Sequence, residues 1–235
     1  MAATSASPGR ALALLFCGAF LGCSSRESAE EQNRLAVELR RAGRLVEAEA
    51  GHRAALRIAP DYADAHADLG NTLCWQGRYE EAIEHLSRAL QLEPSHARAH
   101  DDLGVCRRDQ GQLALALRHH REAVRLDPDN NNAERNLGET LARLGEFDEA
   151  MAHLDRAVAR DPDDARAHAA IGMVHGMRGD YDRALAALRR SVALDATQPM
   201  VLNNLGMALW RAGEPEAACA RFDELAEMLA MYDSQ

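Results

Sequence analysis

Apolar positions in this chain recur three and four residues apart, and that spacing breaks and restarts at regular intervals. The stretch 63–96, ADAHADLGNTLCWQGRYEEAIEHLSRALQLEPSH, shows one unit. Leu69 and Leu73 begin one apolar stripe, a glycine interrupts at Gly77, and Tyr79 with Leu86 carries the next. Apolar side chains at helical spacing share a face, so each stripe predicts an amphipathic helix. Helix A is expected from about Ala63 to Gln76 and helix B from about Tyr79 to Leu92. Gly77 supplies the positive φ that ends the first, because it has no Cβ to clash. Pro94 stops the second, since proline lacks the amide proton a helix needs. Gly70 and Ala82 are small where the two helices cross, with Leu69, Leu73, Tyr79 and Leu86 packed around that crossing.

The unit recurs every 34 residues. Gly43, Gly77, Gly111, Gly145, Gly179 and Gly213 form one row, and Ala48, Ala82, Ala116, Ala150, Ala184 and Ala218 a second. A third row holds Ala36, Gly70, Gly104, Gly138, Gly172 and Gly206; a fourth holds Pro60, Pro94, Pro128 and Pro162 before it lapses at Ala196. A fixed period of this length marks a repeat architecture. The units divide as 29–62, 63–96, 97–130, 131–164, 165–198 and 199–232, leaving 233–235 as a tail.

These rows resemble the tetratricopeptide repeat family over all but the first 28 and last three residues. The resemblance implies an all-α fold, a right-handed α-solenoid of six helix-turn-helix units in which each helix A lines a concave groove. Each unit buries its apolar face only against its neighbours, and six suffice for a continuous core. In the family, the second, fifth, sixth, ninth and thirteenth places of helix A face a bound peptide. Those places here hold Asp64, Asp68, Asn71, Arg98, Asp101 and Asp102 in repeats two and three. In repeats four to six they hold Arg135, Asn136, Arg143, Arg166, Met173, Met177, Met200, Asn203, Asn204, Met207 and Arg211. The groove is therefore expected to be acidic first, then basic and methionine-rich. Methionine is unbranched and polarizable, an adaptable contact surface. Asn136 and Asn204 resemble the asparagine rungs by which long repeat proteins hold a peptide backbone, since an amide both donates and accepts.

Composition narrows the function. The chain carries a formal charge of −10, which gives no generic attraction to nucleic acid. Every basic residue is arginine, so no lysine serves as Schiff base or phosphate clamp. No Walker loop, HExxH, GxSxG or paired-cysteine metal motif is present. Neither a catalytic residue, a metal, a cofactor nor a small-molecule substrate is expected. His66, His100 and His168 recur at one place of helix A, and His85, His119 and His153 at one place of helix B. Recurrence at the repeat period marks a structural position, and the row His100, Glu134, His168 is expected to hydrogen-bond along a half-buried seam rather than bind metal. Cys74, Cys106 and Cys219 are expected as small buried residues. Arg107 and His120 put polar groups on the helix A–helix B contact of repeat three, which is expected to be the softest unit.

The leader adds a location. Residues 11–22, ALALLFCGAFLG, are apolar and uncharged, too short to span a bilayer but the length of a signal-peptide apolar region. Leu21-Gly22-Cys23 resembles the lipobox of bacterial lipoproteins, with Phe20 where leucine is usual. The resemblance implies removal of 1–22, lipid on Cys23, a tether over 23–28 and, with Ser24 following, delivery to the outer membrane of a Gram-negative cell. An unlipidated leader or a simple N-terminal tail are the alternatives. The expected role is a non-catalytic adaptor of the cell envelope, membrane-held through its lipid and binding a protein or peptide partner. It resembles pilotin lipoproteins of type IV pilus assembly and adaptors that recruit cell-wall hydrolases. A cytoplasmic scaffold, or an accessory subunit presenting substrate to a transferase, are the competing classes.

Overall fold

The computed structural model describes residues 25–232; the predicted signal peptide, Cys23 and the tail 233–235 lie outside them. Among the described residues there are twelve helices and no strand, as the 34-residue period predicts. They run α1 (Ser25–Arg41), α2 (Leu45–Ile58), α3 (Ala63–Trp75), α4 (Tyr79–Leu92), α5 (Ala97–Asp109), α6 (Leu113–Leu126), α7 (Asn131–Leu144), α8 (Phe147–Arg160), α9 (Ala165–Arg178), α10 (Tyr181–Leu194), α11 (Pro199–Ala212) and α12 (Pro215–Tyr232). None is long and apolar enough to cross a membrane. Odd-numbered helices are the A helices and even-numbered ones the B helices. The fold is that of a helical solenoid of six such hairpins, in two compact units that divide at Leu126–Asp127. Helix α1 begins at Ser25, so 25–28, expected as tether, is already helical. The Arg26 guanidinium lies 4.3 Å over the Tyr62 ring there.

The turn between A and B has one solution, used six times. The glycines at 43, 77, 111, 145, 179 and 213 all adopt φ between 76° and 85°. The A helices of repeats four and five start on side-chain caps. Asn130 accepts from the amides of Asn132 and Ala133, and Asp164 from those of Arg166 and Ala167. Each cap satisfies amide protons that no helical carbonyl can reach.

Packing within a hairpin rests on its small residues. A Cβ built on Gly70 would lie 2.6 Å from Leu86 Cγ and 2.9 Å from the Ala82 carbonyl oxygen. Gly138 meets Leu154, Gly172 meets Leu188 and Gly206 meets Phe222 in the same way. Leu86, Leu154 and Leu188 are accordingly buried. Repeat three departs from this rule, as its sequence predicts: Gly104 faces His120, which is fully buried. The His120 Nδ1–H donates to Asp101 Oδ1 at 3.0 Å. Repeat one makes the related choice, with buried His52 donating from Nδ1 to Asn33 Oδ1 at 2.7 Å. Each of these pairs spans 19 residues and replaces the Ala67–Leu86 pair of repeat two. In repeat three, His120 Nε2, Arg107 Nε and Gln110 Oε1 are also buried without a hydrogen-bond partner. A buried polar atom left unpaired costs about 1–3 kcal/mol, so the cores of repeats one and three, each with three such atoms and a buried histidine, are the most polar of the six.

The crossing predicts opposite outcomes for two glycines. Gly70→Val should destabilise the chain by about 2 kcal/mol, because the added methyls meet backbone and a packed leucine. Gly176→Ala should stabilise it by about 0.5–1 kcal/mol, since its Cβ would meet only Ala184 Cβ at 4.0 Å. Urea unfolding of the two variants beside wild type checks both signs.

Candidate functional site

In the first unit the polar side chains of successive A helices are spent on one another. Asn33 Nδ2 donates to Asp68 Oδ2 at 2.7 Å, tying α1 to α3. Asn71 Nδ2 donates to Asp102 Oδ1 at 2.5 Å, tying α3 to α5. Arg98 lies 3.3 Å from both Asp64 and Asp68, and His96 Nε2 donates to Asp64 at 3.1 Å. Asn71 and Arg98, expected to face a ligand, are therefore braces between repeats. The acidic stretch of groove read from the sequence is largely internal, with Asp68 and Asp101 buried. Burial, then the neighbouring Asp101, pushes the Asp102 carboxyl up to about 7, against the Asn71 hydrogen bond.

Two predicted contacts of the second unit are also internal. Arg135 is buried and donates from Nη1 to Asp164 Oδ2 at 2.9 Å and from Nη2 to Asn132 Oδ1 at 2.9 Å. Asp164 thus caps α9 with one oxygen and holds Arg135 with the other. Asn136 is buried and already engaged.

The remaining residues are available. Met173 and Met177 on α9 join Asn204, Met207 and Arg211 on α11 around a groove of about 370 Å³. Its floor is Gly172, Gly176 and Ala208, and Tyr181 and Leu188 of α10 complete it. Met177 is 50% and Met207 46% exposed, apolar surface that the fold itself leaves uncovered. Met200, Asn203, Arg143 and Arg166 are exposed as well. Among the described residues Arg211 has no hydrogen-bond or ion-pair partner, which leaves a cation at the rim of an apolar groove.

Two exposed aromatics, Trp75 and Trp210, escape the sequence reading, and the first stands at a groove place. Trp75, 62% exposed, ends α3 at the thirteenth place of its repeat, the register of Arg143, Met177 and Arg211. Register alone could have found it.

The histidines pair differently from expectation. They do not bond along a row of A helices; His66 and His100 bond within their own hairpins, 19 residues away, and His168 donates to the Pro162 carbonyl at 3.0 Å. His66 Nδ1 and His85 Nδ1 are 3.0 Å apart, and His100 and His119 repeat the pair at 3.1 Å. His66 Nε2 donates to the Pro60 carbonyl and His100 Nε2 to that of Pro94. Their Nδ1 atoms are therefore acceptors, and the shared protons belong to His85 and His119. Glu134 takes the place of the A-helix histidine in repeat four and accepts from His153 Nδ1. Among the described residues no three His, Cys, Asp or Glu side chains are grouped to hold a metal.

The cysteines are a second departure. Cys74 and Cys106, expected as separate small buried residues, are joined in a disulfide between α3 and α5, with Cα atoms 5.8 Å apart. Cys219 is free and exposed.

The paired histidines set a pH dependence. Burial, then the facing histidine, holds His85 and His119 down to about 4, and burial holds His52 there too. A histidine unfolds to a value near 6.5, so the unfolded chain gains protons first on acidification. This stability is complete above about pH 6.5 and lost as pH falls toward 4. Asp102 works the other way, opposing the folded state as pH rises from about 4 to about 7. Melting temperature should therefore drop from pH 7 to pH 5. The drop should shrink in His85→Gln/His119→Gln and grow in Asp102→Asn, as calorimetry at the two pH values would show.

The comparisons with known proteins agree with this architecture. Tetratricopeptide repeat family models match residues 61–129, 107–174 and 169–230. No curated protein matches the sequence. Among solved structures, PilW, described as a widely conserved type IV pilus biogenesis factor, is 21% identical with a TM-score of 0.73, covering 84% of this chain and 91% of its own. PilF of Pseudomonas aeruginosa is 18% identical with a TM-score of 0.69, covering 87% and 94%. YrrB, described as having an unusual peptide-binding site, is 24% identical with a TM-score of 0.56, covering 77% and 96%. At these identities the likeness is one of fold.

Proposed function

From a chain whose residues 61–230 are tetratricopeptide repeats, we propose a non-catalytic adaptor of the bacterial cell envelope, lipid-anchored through Cys23. Its partner is a peptide segment bearing apolar and acidic residues, seated between α9 and α11. The observation that carries this reading is the methionine-lined groove with Arg211, unpaired among the described residues, at its rim. Apolar side chains of the peptide take the thioether surface, and a carboxylate takes the guanidinium in a bidentate hydrogen bond. Arg166, Asn203 and Met200 extend the same helix faces for a longer segment. Arg135 and Asn136 contribute by holding the scaffold rather than by touching the peptide.

Location draws support from two features. The leader ends in Leu21-Gly22-Cys23, and the disulfide suits an oxidising compartment such as the periplasm. The fold is shared with PilF of Pseudomonas aeruginosa and with PilW, which is described as a type IV pilus biogenesis factor. Assembly of an envelope machine is the role the likeness to PilW favours.

The groove is tested by titrating peptides that alternate Leu or Phe with Glu against matched peptides carrying Arg for Glu. Only the acidic set should bind, and Met177→Glu/Met207→Glu or Arg211→Glu should weaken it by about tenfold or more, equivalent to about 1.4 kcal/mol, with helicity unchanged. Equal binding by both peptide sets would exclude this groove chemistry. The anchor is tested separately by mass spectrometry and fractionation. Wild type should lose 1–22, gain acyl mass and pellet with membrane, and Cys23→Ser should do none of these.

A further inference from the structure

The disulfide holds one of the two hairpins with a polar core. In three of the other hairpins the crossing glycine is filled by Leu86, Leu154 or Leu188, and in repeat six by Phe222; repeat three has His120, paired to Asp101, and repeat one the related His52, paired to Asn33. Three buried polar atoms of the same repeat have no hydrogen-bond partner. Repeat three is also the repeat tied covalently to its neighbour. Cys106, fully buried on α5, is joined to Cys74 near the end of α3. In the second unit the same two register positions hold Ala142 and Val174, both fully buried. The first unit thus uses a covalent bond where the second uses an apolar contact.

We infer that the Cys74–Cys106 disulfide staples repeat three to repeat two and offsets its polar core, so that the oxidation state of this pair sets the stability of residues 97–130. The bond forms when the two thiols lose two protons and two electrons to the disulfide of a thiol oxidoreductase, which leaves as a dithiol. One thiolate of the chain attacks the enzyme's disulfide, and the other displaces it from the mixed disulfide. Closing a 32-residue separation removes many conformations from the unfolded chain, which favours the folded one. Burial then keeps the link from reductants until the hairpin opens locally. Exposed Cys219 takes no part. The inference rests on the envelope reading only for the compartment that supplies the oxidant.

The test is peptide mapping and hydrogen exchange on the full chain, exported from a bacterial host and compared with the same sample after reduction by dithiothreitol. Mapping should find Cys74 linked to Cys106 and Cys219 open to alkylation. On reduction, the amides of 97–130 should exchange about tenfold faster or more, and those of 165–232 should not change. A chain exported with both thiols free, or a linked chain whose 97–130 amides ignore reduction, would overturn the inference. Cys74→Ala/Cys106→Val copies the second unit's apolar pair without the bond and should melt lower than wild type. Adding Asp101→Ala/His120→Leu, which copies repeat two, should recover most of that loss. Failure to recover it would show that the bond does not offset the polar core. If the link and its effect are found but Cys23 carries no lipid, the anchor reading falls and the staple stands.

Discussion

Two helix backbones approaching closely is the constraint from which the rest of this structure follows. Helix A crosses helix B where one residue has no Cβ and the facing side chain enters the space left open. A methyl group at Gly70, Gly138 or Gly172 would sit within 3 Å of a packed leucine. The period of 34 is the distance at which the chain can repeat that crossing, turn at a left-handed glycine and begin again. Everything else is a variation played on fixed positions. Leucine, histidine or phenylalanine fills the gap, and where it is histidine the A-helix residue 19 places earlier is an asparagine or aspartate that accepts from it.

Much of this was legible in the sequence. Glycine and alanine rows in register define the hairpins, and helix ends in 63–96 fall within a residue of those expected. Such features are legible because they depend on backbone sterics within one unit. The side-chain network was not. The pairs Asn33–Asp68 and Asn71–Asp102 join residues 35 and 31 apart, neither a multiple of the period. No row of aligned positions displays them, because they arise from the stagger between neighbouring A helices. The same stagger brings Cys74 to Cys106, which sit at different register places and look unrelated in an alignment of the repeats. Arg135 was legible as a groove position, yet Asp164, one residue before the next A helix, draws it inward.

The candidate site is the complement of that network. Where a carboxylate lies within reach, an amide or guanidinium of the A helices is committed, as in Asn71, Arg98 and Arg135. Methionine has no such partner to find, so the thioethers of Met177 and Met207 remain outward. The useful surface of the second unit is therefore the part that its own polar bonding cannot claim.

The two classes of side-chain tie differ in what they ask of the gene. Ties of 19 residues lie wholly inside a hairpin, as His52–Asn33, His120–Asp101 and His85–His66 all do. Ties of 31, 32 and 35 residues bridge one hairpin to the next. A recombination event that copies or deletes one 34-residue block, cut at its proline, carries every 19-residue tie intact and severs the longer ones that cross its ends. The hairpin is thus the inheritable module of this chain. The bridging ties survive only when two neighbouring hairpins are moved together.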